Sequence, residues 1–278
     1  MKKTKTYVIT GATSGIGYAI LNELSKDNII FAGYRNEEKI KSWNLSKNII
    51  PFYIEMTNSD SIKNAAEFIK NKTEKIDTLI NGAGCVIAGA VEETNINEIK
   101  KQFEVNTFSH LEFTQRLLPV LNGGKIINIS SMASFGIFPF VAPYCASKRA
   151  LDILFNNMQL ESKNNIKYIS IKPGVIATQL WNKSVEINSQ NLIGDKYKKE
   201  YEYLIQNALK NEKCGLDVKK VVSVILKADK AKNPKPSYTV GTDAFCAKII
   251  SHLPQDILNK LIKTGMKLKF KGKSYDKQ

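Results

Sequence analysis

The sequence predicts an α/β protein: a doubly wound parallel sheet of about seven strands, with a helical flap over the sheet's C-terminal edge and a C-terminal helical extension. Three observations carry this. Short β-rich runs alternate with helical runs from the first residues onward, the order of parallel strands joined by crossover helices. A glycine-rich loop, Gly11-Ala12-Thr13-Ser14-Gly15-Ile16-Gly17, sits between the first strand and the first helix. The chain has 278 residues, 43% hydrophobic and 24% charged, which suits one large domain with a sizeable core.

Each element has its own signal. Thr6–Thr10 is the first strand. The helix after the glycine loop, Gly15 to Lys26, sets Ile16, Ala19, Ile20 and Leu24 on one stripe. Ile29–Tyr34 and Ile49–Glu55 are the second and third strands. Ser59 caps a helix to Lys72 with Ile62, Ala65, Ala66 and Ile69 inward. Thr78–Asn81 is strand four, and one long helical region follows from Ile96 to Leu121. Lys125–Ser130 is strand five. Pro143 opens the next helix, to Lys163. Ile166–Lys172 is strand six. Residues 179–215 are polar and spotted with aromatics (Trp181, Tyr197, Tyr201, Tyr203), which gives the flap. A helix over Leu216–Lys227 precedes a last strand, Ser237–Val240. The extension, residues 243–278, contains an amphipathic helix broken at Pro254.

Composition narrows the function. Lysine and arginine number 41 against 26 acids, a net charge of +15. The basic residues are scattered and carry no nucleic-acid motif, so a nucleic-acid partner is not expected. Cys85, Cys145, Cys214 and Cys246 form no C-x-x-C pair and suit reduced thiols in a cytoplasmic protein. Only His110 and His252 are present, which rules out a histidine-rich metal site and disfavours a Ser-His-Asp hydrolase. No metal is expected. The apolar run at Tyr7–Ile9 is too short for a signal segment.

Two stretches carry chemistry. The glycine loop lets backbone approach a pyrophosphate at a helix N-terminus. Its spacing is G-x-x-x-G-x-G. Strand two ends in Tyr34-Arg35, where an acid would suit the ribose of NAD; Arg35 can pair instead with a 2′-phosphate, and Thr13 can add a hydroxyl. The second stretch holds Tyr144, with Lys148 four residues on and Ser131 thirteen before. On a helix opened by Pro143, Tyr144 and Lys148 share a face. A buried ammonium beside a phenol favours the phenolate, and a fixed serine hydroxyl can hold a carbonyl oxygen. A second Tyr-x-x-x-Lys match, Tyr168 and Lys172, lies in a strand-like run and is set aside.

These motifs, in this order, resemble the short-chain dehydrogenase/reductase family over roughly residues 5–180, a Rossmann-like fold. The resemblance is carried by Thr10–Gly17, the Asn81-Gly82-Ala83-Gly84 turn, Asn106, Ser131, Tyr144, Lys148, the Pro173-Gly174 turn and Thr178. It implies residues 5–178 as the cofactor and catalytic core, and an oxidoreductase interconverting an alcohol and a carbonyl with NADP(H) preferred over NAD(H). Tyr144 is the implied acid/base, Lys148 the group that tunes it and holds ribose hydroxyls, Ser131 the oxyanion donor and Asn106 the holder of a relay water. Implied cofactor contacts are Gly11, Thr13, Ser14, Gly15, Ile16, Gly17, Arg35, Glu55, Met56, Asn81, Ala83, Gly84, Tyr144, Lys148, Pro173, Gly174, Val175, Ile176 and Thr178. Glu55 departs from the family's aspartate.

The substrate side rests on Val86, Ile87, Phe135, Ile137, Phe138, Phe140 and Val141, with Leu180 and Trp181 from the flap. They point to an apolar, steroid-, retinoid- or lipid-like ketone or alcohol; Val86, Phe138, Leu180 and Trp181 are the named wall residues. The run Val240–Ala244 resembles the hydroxysteroid and retinol dehydrogenase branch. The tail, 249–270, interleaves apolar residues with lysines. Packing on the sheet domain or on a second subunit is the favoured reading, with contact to an anionic membrane left open. A homodimer is expected over a tetramer. The rival class is a non-catalytic NADP-binding regulator or scaffold of the same fold.

Overall fold

The computed structural model describes residues 4–41, 47–178 and 195–270. Leu180, Trp181 and the first part of the expected flap lie outside the described residues. Seven strands form one sheet: β1 Thr6–Ile9, β2 Ile29–Tyr34, β3 Ile49–Tyr53, β4 Thr78–Asn81, β5 Lys125–Ile129, β6 Lys167–Pro173 and β7 Ser237–Val240. Their order is β3-β2-β1-β4-β5-β6-β7, and every neighbouring pair is parallel. The chain winds outward from β1 to β3, then returns to β4 on the other side of β1. That reversal opens a crevice at the C-terminal ends of β1 and β4, where ligands of such sheets bind.

The strands are apolar on both faces because helices cover both. Tyr7 and Ile9 of β1 face one layer, with Ile20, Leu21 and Leu24 of α1 (Gly15–Leu24) and Val221, Val222 and Ile225 of α8 (Val218–Lys230). Val8 between them faces the other layer. That layer holds Ile62, Ala66 and Ile69 of α3 (Ser59–Lys70), Phe113 of α5 (Ser109–Leu117), and Leu151 and Phe155 of α6 (Ala142–Glu161).

Three boundaries differ from the sequence reading. A four-residue helix, α2 (Glu38–Lys41), was not foreseen; it is too short to show a periodicity. The long helix over 96–121 is broken into α4 (Ile96–Phe103), a π-helical turn (Glu104–Phe108), α5 and a 3-10 turn (Leu118–Val120). Pro119 accounts for the last break, since it has no N–H to continue the ladder. Helix α8 starts after Asp217, whose carboxylate accepts from Lys219 N at 2.8 Å as an N-cap. The tail does break at Pro254, giving α9 (Thr242–Ile250) and α10 (Gln255–Lys269). The described part of the flap is helical, α7 (Lys198–Cys214).

Candidate active site

The glycine loop closes on itself at the crevice. Gly11 has φ +68°, a left-handed conformation that favours glycine. A Cβ on Gly17 would stand 2.3 Å from Gly11 O, so only glycine fits where the loop enters α1. Ser14 occupies the N-cap position of α1 but makes no side-chain cap bond, and the first turn carries no acid. The loop's shape and the first-turn amides of α1, which a helix leaves without internal partners, fit a bound pyrophosphate. The loop is tied across the crevice to the next turn: Gly82 N and Ala83 N donate to Thr10 Oγ1 at 3.0 and 3.3 Å. His110 Nε2 donates to Ala83 O at 2.8 Å. Burial holds that imidazole neutral, with its pKa pushed down to about 3.

Asn106 sits in the π-helical turn and is fully buried. Its amide Nδ2 donates to Cys85 O at 2.9 Å and to Ser147 Oγ at 3.0 Å, while its Oδ1 accepts from Cys85 N at 2.9 Å. The extra residue of the π-turn is what swings this side chain toward α6. A Cβ on Gly84 would lie 3.3 Å from Asn106 Oδ1 and 3.6 Å from Lys148 Nζ. Both groups therefore border that bare glycine.

Ser131, two residues past β5, caps a 3-10 turn (Met132–Phe135), accepting from Ala133 N at 3.1 Å. Its hydroxyl is hydrogen-bonded to the Tyr144 phenol and favours the phenolate. Tyr144 and Lys148, one turn apart on α6, are both buried. Lys148 Nζ donates to Ile129 O at 2.9 Å and stands 6.0 Å from the centre of the Tyr144 ring. The structure thus gathers Asn106, Ser131, Tyr144 and Lys148 at one sheet edge.

One expectation is corrected. The phenol is not lowered toward neutrality by the lysine. Burial dominates and pushes Tyr144 up to about 12. Burial likewise pushes Lys148 down to about 8, opposed by Asp152 and Cys85. An ammonium at this distance does not offset the loss of water around the phenolate.

The turn after β6 completes the crevice. Thr178 lies over the glycine loop, with its Cγ2 3.5 Å from where a Gly15 Cβ would be. Asp243, at the start of α9, accepts from Val175 N at 2.7 Å and pins the turn. Arg35 is 72% exposed, with Nε 3.8 Å from Glu55 Oε2. Three of the expected cofactor residues have side chains that pack inside the fold, which leaves their backbone groups to face the crevice. The Asn81 amide donates to Asn128 Oδ1 at 2.8 Å inside the sheet. Met56 packs in the α3 layer, and Ile176 in the α1 layer. Pro173 closes β6, and Gly174 N donates to Val240 O at 2.8 Å.

On the substrate side, Val86, Ala133, Tyr144 and Cys145 form a small apolar cluster with Phe138 and Val141 against it. Phe140, the one described non-glycine with positive φ (65°), stacks edge-on to Tyr197 at 5.8 Å. Phe135 instead lies under Lys172 Nζ, 4.5 Å from its ring centre. A cavity of about 500 Å³ between β3 and α3, walled by Tyr34, Tyr53 and Phe68, contains none of the four catalytic candidates. Sequence reasoning placed Thr10 in the cofactor loop without its tie to the next turn, and missed Ser147 and Asp243 as supports of the site. Ser147 was within reach, being the residue before Lys148 on the same face as Tyr144.

Fold and site together define a nicotinamide-dependent oxidoreductase of the Rossmann type. The profile of the short chain dehydrogenase family matches residues 5–188, and the chain belongs to that family, whose members act on CH–OH and C=O groups. It is 29% identical over 274 residues to the NADPH-dependent 3-dehydrocapnine reductase of Ornithobacterium rhinotracheale, covering 94% of this chain and 96% of that one. It is 30% identical over 259 residues to the 3-ketodihydrosphingosine reductase of Bacteroides thetaiotaomicron, covering 90% and 94%. A short-chain dehydrogenase from Streptomyces avermitilis has the same fold, with a TM-score of 0.76 at 23% identity over 99% of this chain and all of the other.

Proposed function

We propose that this protein is an NADPH-dependent reductase of a long-chain lipid ketone, with the sphingoid class first among candidates. The carrying observation is the Tyr144 phenol, hydrogen-bonded to Ser131 and set against the apolar cluster of Val86, Phe138 and Val141. The phenol, hydrogen-bonded to Ser131, is placed to exchange a proton with a carbonyl oxygen seated against that cluster. The names of the two relatives above support both the cofactor and the ketone class.

The glycine loop and the α1 N-terminus would hold the pyrophosphate, Arg35 and Thr13 the 2′-phosphate, Lys148 the ribose hydroxyls and Thr178 the carboxamide. NADPH bound there supplies a hydride to the carbonyl carbon. Ser131 orients the carbonyl oxygen by donating to it, and Tyr144 delivers the proton there. Asn106, fixed on three bonds beside Lys148, positions the water that returns a proton to the phenol. Phe108, Ile153, Leu154 and Leu160, exposed around α5 and α6, are the apolar face we assign to a homodimer.

The test is NADPH oxidation with 3-ketodihydrosphingosine and with short apolar ketones, run beside NADH. We expect the long-chain ketone and NADPH to be preferred and Tyr144→Phe to be inactive. Turnover by Tyr144→Phe, or a preference for NADH, overturns the reading.

A further inference from the structure

Helices α9 and α10 present an apolar stripe to solvent. On α10, Ile257, Leu261 and Leu268 recur at helical spacing and are 45%, 53% and 69% exposed. The stripe continues through the break at Pro254 onto Leu253, Ile249 and Phe245, exposed by 38%, 59% and 57%. Leu258, which borders this stripe on the helix surface, is buried and holds α10 to the protein.

Beside this stripe runs a second one of exposed lysines, Lys260, Lys263 and Lys267, spaced three and four apart. Helix α10 contains four lysines and a single acid, Asp256. No described helix is long and apolar enough to cross a membrane. An apolar stripe flanked by lysines is the pattern of a helix lying in the plane of an anionic lipid surface. A second copy of the chain fits less well: apposing this face with itself brings lysine stripes together in a chain of net charge +15.

The position of the helix matters as much as its pattern. Phe270, just past the end of α10, stacks edge-on to Tyr203 at 5.2 Å and to Phe140 at 6.3 Å. Lys269 Nζ stands 5.2 Å over the Tyr203 ring. Phe140 belongs to the segment between Ser131 and Tyr144. Helix α10 therefore ends against the segment that joins Ser131 to Tyr144.

We infer that α9 and α10 dock the protein on an anionic membrane surface, with Ile257 and Leu261 in the acyl boundary and the lysine stripe on the headgroups, so that the site opens toward the bilayer. This is independent of which ketone is reduced, because docking is read without turnover.

The experiment is flotation of the full chain with phosphatidylcholine vesicles, with and without about one third phosphatidylglycerol. Wild type is expected to float with the anionic vesicles and to be released by about 0.5 M salt. The double variant Ile257→Ser/Leu261→Ser, with an unchanged melting temperature, is expected to lose about tenfold in partitioning. Lys260→Gln/Lys263→Gln, the second test of the same face, is expected to lose a similar factor on anionic vesicles alone. Equal flotation of wild type and both variants overturns the proposal, as does no flotation of wild type. Conversion of a wild-type dimer to a monomer by Ile257→Ser/Leu261→Ser, seen by sedimentation without vesicles, overturns it in favour of a second copy on this face.

Discussion

Asn106 Nδ2 donates to the Ser147 hydroxyl at 3.0 Å, and that hydroxyl donates to Tyr144 O at 2.9 Å. One buried serine thus fastens the π-turn to the helix that carries the proton donor. Thr107 adds a parallel tie, donating to Ser147 O at 2.8 Å. Ser147→Ala removes two hydrogen bonds and leaves Asn106 held by Cys85 alone. We expect kcat to fall about 5-fold and stability by about 1–2 kcal/mol. A kcat loss with KM for NADPH unchanged separates misplacement of Asn106 from damage to the cofactor crevice.

Charge burial makes Lys148 a pH sensor. Its folded-state pKa, about 8, lies below the ordinary 10.5. Between those values the unfolded chain holds a proton that the folded chain has lost, so stability rises with pH across that window. Below about 8 the penalty is present in full. Lys148→Met is therefore expected to be inactive yet more stable at neutral pH, by about 2 kcal/mol, with the gain shrinking toward pH 10.5. His110 acts on the acid side in the same sense: held near 3 against 6.5, it costs stability as pH falls through that interval. For activity, kcat/KM of reduction is expected to be level through neutrality and to decline above about 8 as Lys148 loses its charge. Melting temperature against pH for both proteins, and kcat/KM against pH for the wild type, check these signs.

Arg35 faces two demands. It is exposed and loosely paired with Glu55 at 3.8 Å, a contact worth little in water. A 2′-phosphate would offer a stronger, charge-assisted bond. Arg35→Ala is expected to raise KM for NADPH about 10–30-fold and leave KM for NADH within about 2-fold. Glu55→Gln, which removes the competing carboxylate, is expected to lower KM for NADPH about 2-fold. Initial rates with both cofactors decide it.

Much of this was legible from residue order. All seven strands fall on the β-rich runs: the central strands, buried on both faces, are rich in Ile, Val, Leu and Phe, and the edge strand β7 is the β-branched and aromatic run Ser-Tyr-Thr-Val. Ser131, Tyr144 and Lys148 were found because a turn of helix and a strand end translate directly into sequence spacing. The π-turn at Asn106 was not legible, since one extra residue per turn leaves no trace in an apolar pattern. The Tyr144 pKa went astray for a related reason: spacing says which groups are near, but not how much water is removed from them. The Asp243 tie to Val175 spans 68 positions, and no local signal reports a partner so distant.

Lys172, set aside with Tyr168 as a strand pair, turns out to lie behind the site. It meets Asp152 at 2.8 Å with both side chains buried. Asp152 also accepts from Ser170 Oγ at 2.9 Å, and Phe135 covers the ammonium. Asp152 stands one turn beyond Lys148 on α6 and helps keep that lysine charged. Removing one partner strands a charge away from water, so Asp152→Asn and Lys172→Met should each cost about 3–5 kcal/mol. Removing both replaces a desolvated pair by neutral groups, so the double variant should lose less than the sum of the singles. Activity should follow a different rule. Lys148 loses the support of Asp152 in Asp152→Asn and in the double variant alike, so both should shift the alkaline decline of kcat/KM to lower pH. In Lys172→Met the carboxylate remains and the decline should not move down. Denaturant unfolding of the four proteins, with kcat/KM profiles for those that fold, distinguishes this from a purely structural pair, which would give stability losses and no shift in the profile.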